Sequence, residues 1–125
     1  MPIHPGLSAR VSLEVGSEHT ASHLGSGDVD VLATPVLVTL CEQASHRAVA
    51  GELTPGTTTV GMRVQFDHLA PVAVGNVVTA EATLDKVEGK RLTFNVSASD
   101  SAGLVGAGKV TRVVVEVEAF LSKAH

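Results

Sequence analysis

Apolar and polar residues alternate along most of this chain, and one helical period interrupts the alternation. Ala9–Val15 sets Val11, Leu13 and Val15 against Ser12 and Glu14, the period of two that predicts a half-buried strand. His19–Asp30 is rich in Ser, Gly and Asp without an apolar period, and it predicts a loop. The period then lengthens. Leu37, Leu40, Cys41, Ala44 and Ala48 recur every three or four residues, predicting a helix over Pro35–Ala50. Thr34 suits the N-cap and Pro35 the first helical position, while Gly51 and Pro55 supply the stop. Val36 and Val38 widen the stripe, so this helix is expected to be apolar nearly all round.

After Gly56 the alternation returns. Thr57–Phe66 predicts a strand with Gly61 inside it, the mark of a bulge or of a close backbone approach. Leu69–Gly75 is a connection. Asn76–Val87 points Val78, Ala80, Ala82 and Leu84 to one face. Glu88-Gly89 turns the chain, and Lys90–Asp100 turns Leu92, Phe94, Val96 and Ala98 inward. Ser101–Gly103 turns it again into a last strand, Leu104–Val117, closed by Ala119–Leu121. The short turns imply an antiparallel meander. One helix cannot cover five strands on both faces, so the economical α+β solution wraps a five-stranded antiparallel sheet around the helix. The outer face and an edge strand still need cover, which predicts a homodimer paired through sheet edges, a unit that could pair again into a tetramer.

Composition narrows the reading. The 125 residues make one expected domain, 1–125. The hydrophobic share is 44% against 18% charged, which disfavours disorder. With three Phe and no Trp or Tyr, the core falls to Val, Leu and Ala. A net charge of −4, no basic cluster and no aromatic platform argue against nucleic acid. The N-terminal MPIHPG has no signal-peptide pattern, and Val31–Cys41 is too short to cross a bilayer, so no membrane role is expected. Cys41, the lone cysteine, forms no intrachain disulfide and fits a reducing, cytoplasmic setting.

Few residues suit chemistry. Glu42 stands inside the apolar run Val31–Ala44 and fits two placements: a pocket wall shared with Thr34 two turns earlier, or a solvent stripe with Gln43, Arg47 and Glu52. Thr34 opens the helix, whose free amides, nearest at Val36 and Leu37, could hold an oxyanion. His68, in FDHLAP, ends a strand, where functional histidines often lie; a surface histidine beside Asp67 is the plain alternative. His19 and His23 have ligand spacing but no helix beneath them, and Cys41 with His46 is no zinc pattern, so no metal is expected. Cys41 fits a buried, inert thiol. Gly103–Gly108 is glycine-rich but leads into a strand and not a helix, which argues against a nucleotide cradle.

Together these segments resemble the hotdog-fold acyl-CoA thioesterases, in particular the fluoroacetyl-CoA thioesterase-like branch. The resemblance runs from about Val31 to Leu121 through ATPVLVTLCE, TVGMRVQFDHLAPVAVG, LDKVEGKRLTFNVSASD and GAGKVTRVVVEVEAFL. It implies a sheet wrapped on a central helix, a dimer with the pocket at its interface, and hydrolysis of an acyl-CoA thioester without metal or cofactor. By position the family's Thr, Glu and His fall on Thr34, Glu42 and His68. His68 would be the base or would orient water; Glu42 would pair with it, act as base, or attack. Gly61 would let the backbone approach the thioester, and Arg112 could reach the coenzyme A phosphates or form a structural ion pair. Members specialised for fluoroacetyl groups place aromatics ahead of the threonine. Leu24–Asp30 has none, so another short or medium acyl group is expected. A hotdog hydratase or dehydratase and a non-catalytic acyl-CoA binding dimer are the alternatives.

Overall fold

The computed structural model describes residues 3–125; Met1 and Pro2, which head the MPIHPG stretch, lie outside the described residues. Five strands, β1 (Ser8–Glu14), β2 (Thr57–His68), β3 (Val77–Glu88), β4 (Arg91–Asp100) and β5 (Gly103–Glu116), form one antiparallel sheet in the order β1-β3-β4-β5-β2. The predicted meander is β3-β4-β5. The short β1 and the twelve-residue β2 are the two edges.

The long helix α2 (Thr34–Ala50) lies in the hollow of the sheet and touches all five strands. Its stripe of Leu37, Leu40, Cys41, Ala44 and Ala48 is buried as its spacing predicts. The inward rows of Val78, Ala80, Ala82 and Leu84, and of Leu92, Phe94, Val96 and Ala98, pack beneath it. Each large side chain withdrawn in this way stabilises the fold by roughly 1.5–3 kcal/mol.

The structure departs from expectation in four places. Residues 19–30 are not an unstructured loop. A 3-10 turn, Ser17–His19, leads into a short helix α1 (Ala21–Leu24), capped by the Thr20 hydroxyl, which accepts from the His23 amide. Gly25, at φ 76°, ends α1 in the left-handed conformation. At the C-terminus, Ala119–Leu121 does not extend β5. The paired edge stops where Thr57 meets Glu116, and the chain, with no strand left beside it, coils into α3 (Val117–Leu121).

The third departure is α2 itself, which is not apolar nearly all round. Thr34, Pro35, Thr39, Gln43 and Arg47 form a solvent-facing stripe. The fourth is the helix start: Ala33 is the N-cap and Thr34 is already helical, so its hydroxyl makes no cap bond.

Two glycines of GLVGAG have a packing reason. A Cβ on Gly106 would come within 2.5 Å of the Phe66 ring, and one on Gly108 would overlap the Gln65 carbonyl oxygen. The segment is therefore a close strand contact between β5 and β2.

Candidate active site

The end of β2 and the start of α2 meet. After His68, the Leu69 and Ala70 amides both donate to the Val105 carbonyl at 2.7 and 3.1 Å, fixing where β2 stops. Ahead of α2, Leu32 donates to the Val72 carbonyl and Ala33 to that of His19, each at 2.9 Å. These ties bring the Thr34 Oγ1 to 2.7 Å from the His68 Nδ1. The ring is half-buried. Its other nitrogen, Nε2, is buried with no hydrogen-bond partner among the described residues. A buried ring nitrogen left unpaired is costly unless something else occupies its position.

Beside this pair lies an open pocket of about 610 Å³, bounded by Thr34, His68, Val29, Val31, Leu32 and Leu69 among others. One wall is the segment 21–31, which folds back on itself. The Ala21 amide donates to the Val31 carbonyl at 2.9 Å, the Ser22 amide to that of Val29 at 3.2 Å, and the Ser22 hydroxyl meets the Asp30 carboxylate. Among the described residues, no aromatic side chain other than the His68 imidazole lines this pocket.

Glu42 sits elsewhere on the helix. Eight residues of rise place its Cα about 12 Å beyond that of Thr34. It is half-buried, and its Oε2 lies 3.3 Å from the Arg112 Nη1. Arg112 is 8% exposed. Its Nε donates to the Thr59 hydroxyl and its Nη2 to the Thr59 carbonyl, both at 2.9 Å. Burial draws its pKa down, and the Glu42 charge pushes it back up. Gly61 faces the same carboxylate: a Cβ there would fall 2.5 Å from Oε2. The strand register slips between Gly61 and Arg63, so the predicted bulge and the predicted close approach are both present, and the approach is to Glu42. The His46 Nδ1 lies 3.4 Å from the Thr59 hydroxyl and completes this cluster, which borders a second depression of about 330 Å³.

The expected residues thus form two groups within one protomer, Thr34 with His68 and Glu42 with Gly61 and Arg112. Val36 and Leu37 belong to neither as free donors. Both amides donate to the Ala33 carbonyl, at 3.1 and 3.2 Å, and are consumed inside the helix start. Cys41 is fully buried, its thiol pKa pushed up to about 12 by desolvation and then by Glu42, which suits the inert reading. Sequence reasoning misses Thr59. The available signal is an arginine inside the apolar run VTRVVV, because a buried cation requires acceptors nearby. It misses the wall of the pocket as well, although Thr20 and Gly25 bracket α1 as a cap and a stop.

Among known proteins, a model of the fluoroacetyl-CoA-specific thioesterase family matches residues 15–118. The fluoroacetyl-CoA thioesterase of Streptantibioticus cattleyicolor is 39% identical over 96 residues, 77% of this chain and 69% of that protein. A crystal structure of a fluoroacetyl-CoA-specific thioesterase mutant in complex with fluoroacetate and CoA superposes with a TM-score of 0.88. It is 33% identical and covers 94% of this chain and 99% of the other. A thioesterase superfamily member from Thermus thermophilus gives 0.88 at 31% identity, over 98% and 93% of the two chains.

Proposed function

This chain belongs to the fluoroacetyl-CoA-specific thioesterase family and is a hotdog-fold acyl-CoA thioesterase, and from that premise we propose how it works and on which acyl groups. The observation that carries the mechanism is the 2.7 Å contact between the Thr34 hydroxyl and His68. A hydroxyl within hydrogen-bond reach of an imidazole is an activated nucleophile and its base. Thr34 Oγ1 attacks the thioester carbonyl while His68 Nδ1 takes its proton. The carbon–sulfur bond breaks, and the proton passes to the departing coenzyme A sulfur. Water, deprotonated by the same imidazole, then releases the acid and regenerates Thr34. A quenched reaction should show acyl mass on Thr34 and a burst of free thiol. Turnover with neither would assign the attack to water activated by His68.

Glu42 completes the site from a second protomer. The support is geometric: within one protomer the Glu42–Arg112 cluster does not border the Thr34–His68 pocket. The twelve-residue β2 also leaves a long edge unpaired, with Met62 exposed on it. Two copies joined along β2 form a continuous sheet and bring their helices side by side, and the outer faces of two such dimers can pair again. A mixture of Glu42→Ala and His68→Ala chains tests this. A shared site recovers one good centre in each mixed dimer, about a quarter of wild-type activity in a statistical mixture. No recovery above either variant alone would place both residues in one chain.

The acyl group is short to medium and apolar, longer than the two carbons of fluoroacetyl. A pocket of about 610 Å³ falls within the range of sites that enclose whole small molecules. Val29, Val31, Leu32 and Leu69 give it apolar walls. Each methylene buried there is worth ~0.8 kcal/mol, or about fourfold in kcat/KM. Thiol release across a two- to ten-carbon series should climb through the middle members; a maximum at two carbons would overturn the assignment. Release of thiol also separates this enzyme from a hydratase, which leaves the thioester intact. No described helix is long and apolar enough to cross a membrane, and the free buried thiol of Cys41 supports a cytoplasmic setting.

A further inference from the structure

The sequence leaves Arg112 between a coenzyme A phosphate and a structural ion pair and sets Gly61 beside the thioester; in the fold both adjoin Glu42. The guanidinium is almost fully enclosed, and three of its nitrogens are engaged by protein oxygens. Thr59 holds the guanidinium at two points, one through the side chain and one through the main chain. The backbone contact fixes Nη2 to the strand, and the hydroxyl contact fixes the rotation of the fork. Nη1 is then aimed at the Glu42 Oε2. On its other side the carboxylate is bounded by the bare backbone of Gly61, whose register partner across the sheet is Arg112 itself.

We propose that Thr59 and Arg112 are positioning residues for Glu42: Thr59 orients the guanidinium, and the guanidinium sets where the carboxylate points in the assembled site. The proposal rests on the catalytic reading of Glu42 given above. Arg112 supplies a charge-assisted bond whose direction is set by a planar fork, so a lysine, with its freely rotating ammonium, substitutes incompletely. Thr59 has no charge and acts only through Arg112. Its loss therefore reports on aim alone. The Thr59 hydroxyl accepts from the Arg112 Nε and lies 3.4 Å from the His46 Nδ1. Valine keeps the branched shape and removes both bonds.

Steady-state kinetics on one acyl-CoA decide the matter, using Thr59→Val, Thr59→Ser, Arg112→Lys, Arg112→Met and Glu42→Gln, with Arg112→Met and Thr59→Val also placed in the Glu42→Gln background. Misplacement of a reacting group by ~1 Å costs about a hundredfold. Arg112→Met is expected to lose about that in kcat, and Thr59→Val about tenfold, with KM within twofold of wild type. Thr59→Ser should restore most of the rate, and Arg112→Lys should fall between. On the Glu42→Gln background neither substitution should cost anything further, because nothing is left to aim. A loss confined to KM, steepened by salt and undiminished on that background, would make Arg112 a phosphate ligand and overturn the proposal. Near-wild-type kcat in Thr59→Val and Arg112→Met beside an inactive Glu42→Gln would also overturn it while sparing the role of Glu42. An active Glu42→Gln would instead remove the reading on which the proposal stands. If Arg112→Met fails to fold, Thr59→Val and Thr59→Ser decide between the same outcomes.

Discussion

Gly61→Ala tests the placement of Glu42 with one added methyl group. The new Cβ would lie 2.5 Å from the Glu42 Oε2, whereas ordinary contacts begin near 3.4 Å. The carboxylate must therefore retreat by about 1 Å, and three rotatable bonds let it do so without moving α2. The cost to folding is small. Gly61 is absent from the positive-φ glycines, so alanine fits its backbone. Alanine inside a strand gains roughly 0.5–1 kcal/mol over glycine. Against this stands a strained, partly exposed ion pair worth ~0–1 kcal/mol. The net change stays within about 1 kcal/mol, or about 4 °C in Tm. Catalysis has no such compensation: a 1 Å error costs about a hundredfold in kcat, near 2.7 kcal/mol of barrier. Thermal melts and acyl-CoA kinetics on the same preparation check both halves. Wild-type kcat would refute the reasoning about Glu42, and a collapse in Tm would refute the claim that the side chain absorbs the clash.

Thr34→Val removes the hydroxyl facing His68 and should lower kcat by about a hundredfold or more, while Thr34→Ser keeps most of it; equal losses would deny the hydroxyl its role. Gly108→Ala, the same change as at Gly61, should prevent folding, because its Cβ meets the backbone oxygen of Gln65 and not a flexible tip; soluble expression and circular dichroism report it. Cys41 titrates near 9 when unfolded and near 12 when folded, so the folded state holds the extra proton between those values. Stability conferred by the protonated thiol is complete below pH 9 and declines above it, by up to about 1.4 kcal/mol per pH unit. Urea melts from pH 8 to 10.5 should show that decline, and Cys41→Ala should flatten it. Phe94→Ala empties the largest fully buried side chain and should cost about 3–5 kcal/mol in the same melts.

The fold is largely legible in the sequence, because strands and helix announce themselves by the period of their buried rows. Val78 to Leu84 and Leu92 to Ala98 are buried at every second residue, and α2 is buried at every third or fourth. What escapes are elements that depend on a partner. α3 forms because β2 ends, which no local pattern records. The pocket wall at 21–31 is held mainly by backbone hydrogen bonds, Ala21 to Val31 and Ser22 to Val29, and presents no apolar period. The site is legible by type and not by grouping. Thr34, Glu42 and His68 stand out, but their partners come from pairings across 34 and 70 positions of chain. Thr34 reads as a helix cap because caps and nucleophiles use the same hydroxyl. Only the distance to His68 distinguishes them.

The hydroxyl and the carboxylate ride on the same rod, α2, while the pocket wall is a short foldback that contributes nothing to the buried rows. Each protomer therefore lends its hydroxyl and its carboxylate from one rod seated in the core, while the size of the acyl group is set by a segment of roughly ten residues with few ties to that core. Selection, or an engineer, can exchange that segment and retune what the enzyme accepts without recalibrating how it cleaves.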